Sequence, residues 1–466
     1  MSSAPFSLDP TLIASATDFT DQNFPAAVGK LGQLVKIPGI AWPSFDPANL
    51  ERSAEAVQAE LQEIGIFDFV EIRRAAKPDG NPGAPAVLAR RQAKPGAPHV
   101  LLYAHHDVQP PGDASLWRTD PFTATLEGER LFGRGASDDK SGIITHLYAL
   151  RGLKELAGEP DLGITVFIEG EEEAGSPSFL NFLEANKADL EADLIIVADS
   201  GNWNVDTPAL TASLRGVVSQ TFTLRTLDHA LHSGMFGGPV PDATTAMIRL
   251  LASLWDAAGN VAVPGLRRDE LTGPEISLEQ LREESGMLSG TQRMGDAPIA
   301  QAMWGEPAVT VIGLDTPAVA TSSNTAQPQM QARISLRLAP SQDPQEALEL
   351  LRQHLMQHAP FGASLEFGEF ESGPGYLAKD GKFAGLMHGI LSSVWPKQSV
   401  DMGVGGSIPF ITDFARLFPE AEILVTGVEE PDSRAHSPNE SQHLPTLRRA
   451  IAAETALLLH GNQLTS

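Results

Sequence analysis

Cysteine is absent from the 466 residues. That excludes disulfides, thiolate nucleophiles and thiolate-bound zinc, so any metal site must be built from His, Asp and Glu. Basic charge is scarce as well. Lys and Arg number 33 against 59 Asp and Glu, a formal net charge of −26. A surface of that sign repels polyanions, so neither nucleic acid nor an anionic membrane is expected as a partner. No run approaches the roughly 18 apolar residues that a membrane span needs. The opening MSSAPFSLDPTLIASATDF has neither a basic region nor a continuous apolar one, and the expectation is a cytoplasmic protein. What is present is 42% hydrophobic and 20% charged residues, the balance of a globular protein, with length for two or three domains.

Periodicity gives the organisation. In PANLERSAEAVQAELQEIGI, Ala54, Val57, Leu61 and Ile64 recur at spacings of three and four, and the segment to about residue 75 reads as largely helical. Apolar runs at Ala86–Ala89, Val100–Tyr103, Ile164–Ile168 and Leu194–Ala198 read as strands, with a helix at Ile143–Leu156 between the middle pair. Alternating strands and helices predict a layered α/β/α sheet. Past Pro208 the pattern changes. VVSQTFTLRT, a helix near Asp242–Leu254, AVTVIGL, QARISLRL, a helix at Pro344–His358 and ASLEFGEF follow in the order βαββαβ of a ferredoxin-like domain. The polar stretch Ala257–Glu306 is an insertion within it. The expected division is a catalytic domain over 1–208 and 373–466, interrupted by a smaller lid and dimerisation domain over 209–372.

Acidic and imidazole groups gather where strands end. LLYAHHDVQP places His105 and Asp107 two apart, on one face of an extended chain. RLFGRGASDDKSG puts two aspartates before a helix, where carboxylates also serve as caps. FIEGEEEAGS has four glutamates in five positions after a buried run, and LIIVADSGNW ends a strand on Asp199. SRAHSPNE adds His436 in a polar loop. Each is commonplace alone. In an open α/β sheet, however, ligands bind at the carboxyl ends of the strands, so these segments can converge there. Clustered carboxylates need cations, and two divalent ions sharing a bridging carboxylate are the natural answer.

The chain thereby resembles the di-zinc metallopeptidases that include carnosinase-like dipeptidases, aminoacylase, glutamate carboxypeptidase and succinyl-diaminopimelate desuccinylase. YAHHDVQP, LFGRGASDDKSG, EGEEEAGS, IVADS, LHSGMFGG, NTAQP with ISLRLAP, GGSIP and AHSPNE occur in family order from about residue 100 to 440. The resemblance implies two divalent metal ions, zinc foremost with manganese or cobalt as alternatives. His105 and Asp199 would hold one ion, Glu173 and His436 the other, and Asp138 would bridge them. Asp107 would orient His105. Glu172 would be the general base that takes a proton from the bridging water and passes it to the leaving amine. The Asp138–Asp139 bond is expected to be cis. His232 resembles the histidine that, in dimeric relatives, enters the partner's active site and stabilises the oxyanion. Arg337 would clamp the substrate carboxylate, Asn324 would line the same pocket, and Gly406 and Ser407 would contact the substrate from the catalytic domain.

The implied activity is metal-dependent hydrolysis of the peptide bond of dipeptides or short peptides, by a homodimer. An N-acyl-amino-acid deacylase or a carboxypeptidase is the alternative within the family. A non-catalytic binding protein would require a lost ligand or base, and all six positions are intact. His106, inside the H-x-D motif, reads as part of the surroundings or the core. Glu169 and Glu171 read as hydrogen-bonded supports without a catalytic role.

Overall fold

HVLLYAH, GITVFIE and LIIV are buried at every position, as inner strands covered on both faces must be. In the computed structural model, which describes residues 8–379, 381–406 and 408–464, they form the middle of a six-stranded sheet. Its order is Phe69–Arg73, Ala86–Arg91, Gly163–Glu169, His99–His105, Leu194–Val197 and Glu422–Val425. The last four run parallel and the first two join antiparallel.

Strand pleating sorts the side chains into two layers. Val100, Leu102, Ala104, Ile164, Val166 and Ile168 share one core with the helices Pro10–Val35, Pro47–Ile64, Lys140–Ala157, Lys382–Val394 and Leu444–Asn462. On the other face Tyr103 and Phe167 meet Phe179, Phe182 and Phe414, with ring centroids between 4.6 and 6.0 Å apart. From His99–His105 the chain passes first to the neighbour Gly163–Glu169. It then crosses to Leu194–Val197 on the opposite side. That reversal opens a crevice beyond the carboxyl ends of the three strands.

Helix boundaries follow local chemistry. Asp46 caps Pro47–Ile64 by accepting from the Ala48 amide, and Gly65 ends it at φ 68°. The strand Phe69–Arg73 lies within the segment read as helical. Once Gly65 has stopped the helix, FVEIR pairs with Ala86–Arg91 at the sheet edge, where charged side chains are tolerated.

The residues up to Thr211, Ala378–Asp401 and those from Asp413 onward form one unit; Ala212–Leu377 and Met402–Thr412 form a second. The segment Met402–Thr412, expected in the continuation from residue 373, clusters with the second unit, where the Arg215 amide donates to Val404 O at 3.3 Å. The second unit has an antiparallel sheet in the order Ala308–Asp315, Gln329–Leu338, Gly216–Arg225 and Ser364–Gly373. The helices Ala243–Ala252 and Pro344–His358 pack on one face, through Met247, Leu250, Leu351 and Leu355 against Val218, Phe222, Ile334 and Leu336. This is the expected βαββαβ arrangement. Between Ala252 and Ala308 the inserted stretch carries the helices Leu278–Ser285 and Ile299–Trp304.

Candidate metal centre

At the carboxyl end of the parallel strands the side chains of His105, Asp138 and Asp199 converge, and so do those of Asp138, Glu173 and His436. Within each group one donor atom per residue lies within 4.8 Å of the others. Asp138 belongs to both. Its Oδ1 is 3.0 Å from His105 Nε2, and its Oδ2 is 3.0 Å from His436 Nε2. His105 Nε2 is also 3.8 Å from Asp199 Oδ1, and His436 Nε2 is 3.1 Å from Glu173 Oε2. His436 is the exposed member; the other four are largely buried. Its backbone, at φ 61°, lies in the left-handed region, as do those of Arg434 and Asn439 in the same loop.

The strands aim these groups, and buried hydrogen bonds hold them. His105 ends its strand; its Nδ1 lies 3.1 Å from Asp107 O and 3.4 Å from Asp107 Oδ1, and its Nε2 faces Asp138 and Asp199. The Asp107 carboxylate also accepts from the amides of Glu172 (3.1 Å) and Glu173 (3.0 Å), so one side chain fixes both the histidine and the glutamate turn. Adjacent residues in an extended chain point apart. The short 3-10 turn Glu172–Ala174 replaces that geometry directly after Gly163–Glu169. The Asp138–Asp139 peptide bond is cis, as expected.

Electrostatics show what the cluster lacks. Burial raises the Asp199 pKa to about 7, aided by Asp138 and Glu173 and opposed by His105. Burial likewise carries Glu172 to about 9, with Asp199, Asp107 and Glu173 adding to it. Hydrogen bonds to Asp138 and Glu173 push His436 up to about 11. Burial works to raise Asp138, but His105 and His436 outweigh it and hold that carboxyl below the usual range. Asp199 and Glu172 resist ionising and His436 draws a proton, the signs of a cluster short of positive charge. The donor set of two imidazoles and three carboxylates, with no sulfur, fits divalent ions that take N and O ligands.

Glu169 and Glu171 are hydrogen-bonded away from this cluster. Glu169 Oε2 accepts from Tyr103 Oη at 2.7 Å, and Glu171 accepts from the amides of Ala84 (3.0 Å) and Ser178 (2.8 Å). His106 is buried, with Nε2 2.8 Å from Pro85 O. In the second unit His232 and Asn324 come together. His232 pairs with Thr325 on a two-residue strand, and the Ser233 amide donates to Asn324 O at 2.9 Å. Arg337 lies on Gln329–Leu338, Gly406 falls in the same unit, and Ser407 lies outside the described residues.

Sequence reasoning missed three supports. Glu440 is fully buried, and its two oxygens accept from Arg134 Nη1 (2.6 Å) and from the amides of Gly135 (2.9 Å), Ser137 (2.9 Å) and Asp138 (3.1 Å). Burial raises its pKa and Arg134 opposes this. It stands four residues after His436 inside AHSPNE, and that proximity was its one signal. Gln109 Nε2 donates to Glu173 Oε2 at 2.7 Å. Glu429 keeps Oε1 buried with no partner among the described residues, and burial raises its pKa with the charges of Asp138 and Asp199 adding. Gln109 stands two residues after Asp107 inside YAHHDVQP, whereas Glu429 carried no sequence signal of its own.

Two imidazole–carboxylate groups sharing one aspartate, at the switch point of an α/β sheet, define a metal-dependent hydrolase. The sequence signature of Peptidase family M20/M25/M40 matches residues 101–460, and the chain belongs to that family. It is a metallopeptidase, a hydrolase of amide bonds. It is 32% identical over 422 residues to the cysteinylglycine-S-conjugate dipeptidase of Corynebacterium striatum, covering 88% of this chain and 90% of that one. It is 26% identical over 453 residues to the Cys-Gly metallodipeptidase dug1 of Schizosaccharomyces pombe, covering 91% and 93%. The crystal structure of human carnosine dipeptidase 1 superposes with a TM-score of 0.74 at 23% identity, over 99% of this chain and 100% of that one, a likeness of fold.

Proposed function

We infer that this chain hydrolyses the peptide bond of dipeptides in a metal-dependent reaction. The observation that carries this is Asp138, whose two oxygens each face the imidazole of a different ligand group. His105 and Asp199 would hold one divalent ion, Glu173 and His436 the second, with Asp138 between. Zinc suits imidazole and carboxylate donors, and manganese or cobalt would also be accepted. Bound there, such ions polarise the scissile carbonyl and acidify water.

The chain's own residues do the rest. Asp107 keeps the His105 Nδ1 proton directed away from the centre and anchors the Glu172–Glu173 amides. Glu172 accepts a proton at its carboxylate and delivers it to the leaving nitrogen. His232 supports the developing oxyanion, and Arg337, with Asn324, Gly406 and Ser407, receives the substrate's far end. These substrate roles, and a homodimer with a cytoplasmic location, belong to the same proposal. The substrate roles are supported by the motif resemblance and by the proximity of His232 and Asn324 within one unit, and the homodimer by the resemblance. Among the described residues no helix is long and apolar enough to cross a membrane.

Chelation should abolish hydrolysis and zinc or manganese should restore it, whereas activity indifferent to chelator sinks the metal reading. A panel of dipeptides against N-acetyl and N-succinyl amino acids separates dipeptidase from deacylase. Turnover of the acyl substrates alone would overturn the substrate assignment.

A further inference from the structure

Arg337 pairs with Val217 and Leu338 with Gly216 across the antiparallel ladder. Arg215, one residue earlier, therefore falls diagonally from Arg337 on the same side of the sheet, within reach of a long side chain. That side faces away from the helices, because the alternate residues Val218, Leu336 and Leu338 carry the core. The two guanidiniums feel each other: burial and the charge of Arg337 pull the Arg215 pKa down to about 10.

Neither arginine has an acidic partner among the described residues. Glu306 is paired with Arg268 at 2.8 Å, and Arg333, on the strand of Arg337, is paired with Glu371 at 2.8 Å. Among the described residues the Arg215 side chain donates to carbonyls only, with Nε 3.3 Å from Gly405 O and Nη1 3.5 Å from Glu306 O. Its Nη2 lies where a side chain on Gly405 would intrude, 3.1 Å from the position of a Cβ. So a partly buried cation is held against the glycine loop, beside a second cation, in a chain that carries acid in excess. Two like charges kept together in this way are arranged for an anion.

We propose that Arg215 is a second substrate-binding residue, which receives the free carboxylate of the substrate's C-terminal residue together with Arg337. The proposal rests on the peptidase reading above, in which Arg337 was the one cation given to the substrate carboxylate. A planar guanidinium offers paired N–H donors to a carboxylate, and a second one alongside favours a full negative charge over a neutral carboxamide. Arg215 would thus set the preference for substrates that end in a free acid.

The test compares the metal-loaded parent with Arg215→Met and Arg215→Lys on a dipeptide and on its C-terminal amide. Calorimetric binding of N-acetylglycine against N-acetylglycinamide runs in parallel. In Arg215→Met the KM for the free acid should rise about tenfold or more, the loss of one charge-assisted hydrogen bond. The kcat and the constants for the amide should change little, Arg215→Lys should recover part of the loss, and N-acetylglycine binding should weaken by a similar factor. Equal losses for acid and amide would mean that Arg215 only braces the Gly405 loop, and would overturn the proposal, as would unchanged KM and unchanged binding. A parent that turns over no dipeptide would sink the dipeptidase reading instead, and the binding arm would still decide Arg215.

Discussion

Replacing Glu440 by Gln isolates the device that positions Asp138. A glutamine keeps the shape of the side chain but offers one acceptor oxygen where the carboxylate offers two. If that oxygen stays with Arg134 and Gly135, the amides of Ser137 and Asp138 face an NH2 group and lose acceptors now at 2.9 and 3.1 Å. Each buried donor left unsatisfied costs roughly 1–3 kcal/mol. Arg134, itself 1% exposed, also loses its carboxylate, and breaking a buried pair typically costs about 3–5 kcal/mol. The two costs overlap, so about 3–5 kcal/mol is expected in all. The same change loosens the backbone beneath Asp138, the proposed bridge between the ions, and metal affinity should fall about 10–100-fold, as for other supports of metal ligands. Urea unfolding followed by tryptophan fluorescence reads the first quantity and calorimetric zinc titration the second. A variant within about 0.5 kcal/mol of the parent, the usual range of a neutral surface change, with metal affinity intact, would refute the reasoning.

Three further outcomes are expected. Glu172→Ala should bind metal normally yet lose about 100–10,000-fold in kcat, and normal turnover would remove Glu172 from its role as base. His146 has its Nδ1 2.7 Å from Glu454 Oε1 and its Nε2 3.0 Å from Tyr103 O, two acceptors that together call for the imidazolium. Burial lowers its pKa, but Glu454 and the Tyr103 carbonyl outweigh burial and leave it raised. That stabilisation is complete below the unfolded value of about 6.5 and fades as pH rises through the raised folded value. His146→Gln should therefore cost more stability near about pH 6 than near about pH 9, and an equal cost at both would contradict the charged pair. Phe167→Ala removes the ring that lies 4.6 Å from Phe182 and 5.5 Å from Tyr103, and should destabilise by about 3–5 kcal/mol in denaturant. A loss below about 1 kcal/mol would show that the aromatic layer repacks.

The legible parts of the fold were those whose signal is local. Pro344–His358 follows an Asp343 cap and a proline at its first turn, and its ends match the reading. The inner strands were equally plain, because burial on both faces leaves continuous apolar runs. Phe69–Arg73 was not, because an edge strand needs only one neighbour and its FVEIR carries charge at alternate positions. At the site, His105, Asp138, Glu173, Asp199 and His436 were found through motifs, and the geometry then brought them into two groups sharing Asp138. Glu440 escaped because its partners, from Arg134 to Asp138, lie some 300 residues earlier, and no periodicity or spacing reports a contact of that range. Gly406, expected in the continuation from residue 373, lies in Met402–Thr412, which clusters with the second unit through contacts that no local signal reports.

The strand Ser441–His443 pairs with Arg130–Phe132, and this brings the last tenth of the chain back to the loop that carries Asp138. On the ribosome the acidic residues of the centre emerge early and then wait. At about 5–20 residues per second, roughly 15–60 s separate the synthesis of Asp138 from that of His436. Through that interval the nascent chain holds its aspartates and glutamates without His436, Glu440 or the C-terminal helix. Assembly of the proposed centre would therefore be a late event of biosynthesis, and loss of the last thirty or so residues removes His436, the proposed closing partner of one ligand set. Chains released short of His436 should remain sensitive to protease with or without zinc, and resistance equal to that of the full chain would contradict this order of assembly.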